Sequence, residues 1–188
     1  MKPNLSNLDR EISFERFGGG RARLISIAYD DITELDLKRI VNICNQPEVK
    51  KWVTFQYATG VDGEYTVDDA RKFVDSSNQE WHAGVRSSYM VRDEVNNIVG
   101  TVGIKLPDQY TAEVGYWSDT EGAKGYMTNA LNSLIKSAQD VGFRELYALV
   151  MPENSASKRL LIRAGFAEQG THVKQDGREL IKFIKDLR

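Results

Sequence analysis

The chain has 188 residues, 41% hydrophobic and 28% charged, the balance of a soluble globular protein long enough to bury a core. Its 25 Lys and Arg against 27 Asp and Glu give a net charge of -2 with no basic block, which argues against a nucleic-acid partner held by its phosphates. Cys44 is the single cysteine, so no internal disulfide forms, and with only His82 and His172 beside it no metal site is expected. The start, "MKPNLSNLDREISFERF", carries no apolar run that serves as a signal peptide, and no stretch approaches the roughly 20 apolar residues of a membrane helix. These features predict a cytoplasmic protein with no membrane partner.

In chain order, "FGGGR" (17–21) reads as a hairpin turn or a loose connection, because no helical pattern follows it. "RLISIA" from Arg23 to Ala28 reads as a strand. Asp30 or Asp31 then offers an N-cap for a helix whose Leu37, Ile40, Val41 and Cys44 recur at helical spacing, which makes Cys44 a packing residue. "QPEVKKWV" restarts a short helix with Pro47 in its first turn. A Thr66-x-x-Asp69 capping box opens a further helix with Ala70, Phe73, Val74 and Trp81 on its apolar stripe. Three strands follow, "SYMVRD", "IVGTVGIK" and "AEVGYW", joined by "EVNN" and "LPDQYT".

The next segment, "EGAKGYMTNALNSLIKSAQD", is a small-residue turn that opens into a helix with Met127, Ala130, Leu131, Leu134, Ile135, Ala138 and Val141 on one face and Gly142 placed to end it. "ELYALVM" is a buried strand. "NSASKRLLIRAGF" is a short helix capped by Asn154 or Ser155 and closed by Gly165. Asp176-Gly177 then marks a hairpin between two last strands, although Ile181 and Ile184 also suit a helix. This order predicts one mixed α/β domain.

The "GAKG" turn at a helix start joins free N–H groups to the positive end of the helix dipole, with small residues that admit a phosphate. It lacks the G-K-[ST] ending of a triphosphate loop and the G-x-G-x-x-G of a dinucleotide site. Taken alone, it is an anion site or a plain strand-to-helix turn.

Its neighbours narrow the choice. "PEV" with Trp52, "EVGYW", "AKGYMTNAL" and "PENSASKRLLIRAGF", in this order and spacing, resemble the GNAT superfamily of acetyl-CoA-dependent N-acetyltransferases, in the branch of RimJ/RimL-type enzymes. The resemblance spans residues 23 to about 186 and leaves 1–22 as an N-terminal extension before one domain at 23–188. It implies the GNAT fold, a mixed and mostly antiparallel sheet with helices on both faces. It implies acetyl-CoA as co-substrate and an amine acceptor, attacked directly in a ternary complex of a monomer or homodimer. The acceptor expected from the branch is a protein or peptide N-terminal amine. A small-molecule amine (amino sugar, antibiotic, polyamine) and a non-catalytic acyl-CoA sensor are the rival readings.

The resemblance places the CoA pyrophosphate on Gly122, Ala123, Lys124, Gly125, Tyr126 and Met127, with Thr128 following. Gly122 stands where the family has Gln or Arg, which removes a side-chain contact. The strands "AEVGYW" and "ELYALVM" are expected to splay around the pantetheine arm, with Gly115 permitting a bulge and a backbone N–H at Trp117 or Ser118 meeting the thioester oxygen. Asn154 is expected on the cofactor arm and Ser157 near the sulfur. Glu113, on the strand face of Gly115 and Trp117, is the expected base or a partner for a cationic substrate. Trp52, Tyr57, Trp81, His82 and Tyr116 are acceptor-site candidates.

Overall fold

Residues 3–53, 56–106, 108 and 110–188 are described in the computed structural model of the chain. Met1 and Lys2 of the expected extension, and Pro107 and Gln109 of the connection "LPDQYT", lie outside the described residues. Strand β1 (Glu11–Glu15) alternates Ile12 and Phe14 with polar residues and turns through "RFGGG" into β2 (Arg21–Ser26). Gly18, Gly19 and Gly20 take φ of 93°, 99° and 102°, a run of backbone conformations that side-chain-bearing residues resist, so this turn needs its glycines. The segment 1–22 therefore supplies a strand of the sheet, and Leu5, Leu8 and Phe14 from it are buried in the core.

Helices α1 (Glu34–Cys44), α2 (Pro47–Trp52) and α3 (Val67–His82) follow. The N-cap of α1 is Thr33, in a reciprocal capping box with Asp36, and neither Asp30 nor Asp31. Asp30 is used elsewhere: its carboxylate accepts from the buried Arg92 guanidinium at 2.8 Å, while Arg92 also bonds Asp36 at 3.0 Å. Helix α3 opens on the expected Thr66–Asp69 capping box, and Thr59 adds a hydroxyl bond to the same carboxylate at 2.7 Å.

Strands β3 (Arg86–Arg92), β4 (Ile98–Lys105) and β5 (Thr111–Ser118) form an antiparallel meander, then come α4 (Met127–Asp140), β6 (Glu145–Val150), α5 (Ser155–Arg163), β7 (Ala167–Val173) and β8 (Glu179–Asp186). The sheet runs β1-β2-β3-β4-β5-β6-β8-β7, and β5–β6 is its parallel pair. Ile181 and Ile184 thus belong to a strand: β8 sits between β6 and β7, where ladders on both sides outweigh any helical spacing. Gly177, at φ 82°, makes the expected hairpin turn.

Apolar side chains alternate across the sheet into two layers. One unites Val102, Val114, Leu146 and Phe183 with α4 and α5; the other unites Met90, Ile98 and Trp117 with α1 and α2, and α3 contributes Trp81 to the first and Ala70 to the second. Helices cover both faces, as the sequence predicts.

Candidate active site

Strands β5 and β6 pair only at Thr111↔Glu145, Ala112↔Leu146 and Glu113↔Tyr147. Beyond that point each keeps its outer neighbour and loses the shared one: β5 stays on β4 through Trp117↔Thr101 and Ser118↔Gly100, and β6 stays on β8 through Leu149↔Lys182 and Val150↔Ile181. The sheet is slit along this line, and the edge of β5 keeps polar backbone groups with no strand partner. The expected bulge at Gly115 is absent. Gly115 faces Gly103 in unbroken register, and an added Cβ there meets nothing within 4 Å, so the opening forms without a bulge in β5.

A cavity of about 800 Å³ lies at the mouth of this slit, within the size range of small-molecule sites (about 300–1,000 Å³). Its lining brings together Trp52, Tyr116, Trp117, Ser118, Ala123, Lys124, Gly125, Met127, Thr128, Asn154 and Ser157, all singled out in the sequence. Gly122, Tyr126, Glu113, Tyr57, Trp81 and His82 are not in the lining. Tyr126 is buried and its hydroxyl donates to Glu94; with burial the leading cause, its phenol is pushed up to about 12. Trp81 packs edge-on to Tyr29 and Tyr89 in the core. His82 Nδ1 lies 2.8 Å from the Asn78 carbonyl. Tyr147 donates to Glu113 at 3.4 Å where the strands are still paired, which takes this carboxylate out of the slit.

The turn before α4 is held from both sides. Asp119, buried at the end of β5, binds Arg39 of α1, accepts from Gln46 at 2.9 Å and from the Glu121 N–H at 3.0 Å, while Gln46 in turn accepts from the Thr120 N–H at 2.8 Å. This explains the glycine at 122: a Cβ there would collide with the Asp119 carboxylate. Gly125 is required for a second reason, since it sits at φ 87° and a Cβ would approach the Phe17 carbonyl to 2.9 Å. Helix α4 then starts with no side-chain cap and no acidic residue in its first turn, so its positive end meets the cavity without a carboxylate of its own. Thr128 and Asn129 of that turn line the cavity.

Burial works against ionisation of Asp119, but Gln46, the Gly122 and Glu121 amides and Arg39 outweigh it and hold the acid below its ordinary value. A carboxyl depressed on folding contributes stability above its unfolded pKa, near 3.9, that is lost as pH falls through the folded value. Melting temperature is therefore expected to fall less steeply below about pH 4 in Asp119→Asn than in the parent. Parallel slopes in a pH series of thermal melts contradict this.

On the opposite wall, Asn154 caps α5 by accepting from the Ser157 N–H at 3.0 Å. That amide is thereby occupied, and the Ser157 hydroxyl is the group left to face the cavity. The Ser157 Oγ lies 2.6 Å from the Tyr116 hydroxyl, and burial pushes the Tyr116 phenol up to about 12, so the pair is protonated at neutral pH. At the far end, Glu48 and Trp52 of α2 join the lining, with the Trp52 indole N–H donating to Glu48 at 3.0 Å. Asp119, Glu48 and Phe17 also line the cavity and are not singled out by the sequence. The sequence signal for Glu48 is its place in "PEV", two residues from Gln46.

Cys44, the last residue of α1, is buried outside the cavity lining, and desolvation pushes its thiol up to about 12. Cys44→Ser is expected to leave turnover nearly intact while costing about 1–3 kcal/mol of stability for a buried hydroxyl. Abolished turnover in a folded variant, or a trapped acetyl-cysteine, contradicts this.

The sequence profile of the acetyltransferase (GNAT) domain matches residues 28–167. The chain belongs to the GNAT acetyltransferase family. "Probable N-acetyltransferase YjcK" of Bacillus subtilis (strain 168) is 31% identical over 120 residues, 58% of this chain and 64% of that protein's length. Among solved structures, Mycobacterium smegmatis RimJ in complex with CoA-disulfide superposes with a TM-score of 0.77 at 20% identity, covering 99% of this chain and 90% of that one. The ribosomal-protein-S5-alanine acetyltransferase of Vibrio fischeri gives 0.68 at 21% identity, covering 95% and 97%. In this chain the sheet of the GNAT domain is slit between β5 and β6. Among the described residues, no helix is long and apolar enough to cross a membrane.

Proposed function

We propose that this GNAT domain transfers the acetyl group of acetyl-CoA to a primary amine by direct attack in a ternary complex, and that the amine is a protein or peptide N-terminus. The observation that carries the reading is the parting of β5 from β6 beyond Glu113 and Tyr147, beside a helix start with no acidic residue and the Ser157 hydroxyl. The residues fit the cofactor. Ala123 to Thr128 receive the pyrophosphate on backbone amides, Asn154 offers its side-chain N–H groups to the pantetheine arm, and a backbone N–H of β5 at Trp117 or Ser118 polarises the thioester oxygen.

The amine nitrogen attacks the carbonyl carbon, the C–S bond breaks, and the Ser157 hydroxyl donates a hydrogen bond to the departing thiolate. The amine has to lose a proton. Glu48 takes the role that the sequence gives to Glu113, because Glu48 faces the cavity and its carboxylate is oriented by Trp52. The name of the ribosomal-protein-S5-alanine acetyltransferase of Vibrio fischeri, a structural neighbour, supports a protein acceptor.

The test is thiol release from acetyl-CoA with the purified protein and, separately, N-terminal peptides and small amines, with acetylation located by mass spectrometry. The expected result is release that depends on the peptide, with the acetyl group on its α-amine. Release with small amines alone overturns the acceptor assignment. Binding of acetyl-CoA without release for any amine overturns the enzyme reading in favour of a sensor.

A further inference from the structure

We propose that the tip of the β1–β2 hairpin is the nucleotide shelf of the cofactor site, with the Phe17 ring stacking on the adenine of CoA. The inference rests on the acetyl-CoA reading and adds the residue that recognises the base. The hairpin is fastened to the anion turn: the Phe17 N–H donates to the Gly125 carbonyl at 2.9 Å, Arg16 Nε donates to the Lys124 carbonyl at 3.2 Å, and Asn129 donates to the Glu15 carbonyl at 2.7 Å. The Arg16 guanidinium also lies 4.9 Å from the centre of the Tyr126 ring. The backbone at 17 is thereby anchored, yet the residue is 82% exposed and lines the cavity.

An anchored aromatic ring left in water beside a phosphate-binding turn has the chemistry to receive a planar base carried on a phosphate. The base covers the exposed face of the ring, and stacking of this kind adds affinity that is lost when the ring is removed. Lys124 and Arg163, both in the cavity wall, offer positive charge to the phosphates of the same nucleotide. No residue of the core depends on the Phe17 ring, so its replacement leaves the fold intact.

The experiment is calorimetric titration of CoA and of 4′-phosphopantetheine, which lacks the 3′-phosphoadenosine 5′-phosphate half, into the parent protein, Phe17→Ala and Phe17→Trp. Phe17→Ala is expected to weaken CoA roughly 5- to 50-fold, the range that base–aromatic stacking supplies, and to leave phosphopantetheine unchanged, while Phe17→Trp retains CoA affinity. Unchanged CoA affinity in Phe17→Ala overturns the proposal. Equal losses for both ligands also overturn it, because the hairpin would then act only by shaping the anion turn. A parent protein that binds neither ligand overturns the acetyl-CoA reading itself, and the shelf with it.

Discussion

Thr128→Glu is expected to abolish CoA binding, by at least about 100-fold, while leaving the fold intact or slightly stabilised. Thr128 lies in the first turn of α4 and lines the cavity. A carboxylate there complements the helix dipole, an effect of about 0.3–1 kcal/mol in favour of folding. The same charge stands where the pyrophosphate is proposed to bind, and two like charges about 4 Å apart at an effective dielectric near 20 repel by about 4 kcal/mol. The opposite signs of the two effects separate ligand loss from unfolding. Calorimetry of CoA with a thermal melt of the same sample reads both, and unchanged affinity removes the phosphate from the start of α4. Glutamate at Gly125 is a poorer probe, because its φ of 87° and its closeness to Phe17 strain the turn whatever the charge.

Ser157→Ala is expected to lower kcat by roughly 10- to 1,000-fold with little change in the KM for acetyl-CoA. The thiolate develops charge only as the C–S bond breaks, so a hydroxyl aimed at it acts in the transition state and not on binding. The 2.6 Å contact with Tyr116 refines the expectation. Tyr116 donating to Ser157 would make the serine hydroxyl a better donor to sulfur, and Tyr116→Phe should cost less than Ser157→Ala. The double variant should cost little more than Ser157→Ala alone, because both act on one oxygen. Steady-state kinetics on the three variants, folding checked by circular dichroism, decide this. Additive losses separate the two hydroxyls, and an undiminished kcat with chemistry rate-limiting removes Ser157 from the reaction.

The elements easiest to read from the sequence are those with a clear period. Helix α3 declares itself through Thr66, Asp69 and its apolar stripe, and α4 through Met127 to Ala138. Strand β1 does not declare itself although Ile12 and Phe14 alternate, because five residues at a sheet edge give only two apolar positions. Asp30 reads as a cap in the sequence because its partner, Arg92, lies 62 positions along the chain and no local pattern reveals it. Gly122 looked like a lost ligand contact; Asp119 makes it a steric need, and that requires the fold. Glu113 and Glu48 show the same limit. Strand alternation places Glu113 on the face of Trp117, yet only the geometry shows that pairing with β6 ends at Glu113 and that α2 carries Glu48 into the cavity.

A structure of the protein co-crystallised with acetyl-CoA decides where the cofactor binds. The pyrophosphate is expected within hydrogen-bond reach of the amides between Ala123 and Thr128, and the thioester in the slit between β5 and β6 with its sulfur beside the Ser157 hydroxyl. Acetyl-CoA bound at another surface, or a slit left empty at saturating cofactor, would contradict it.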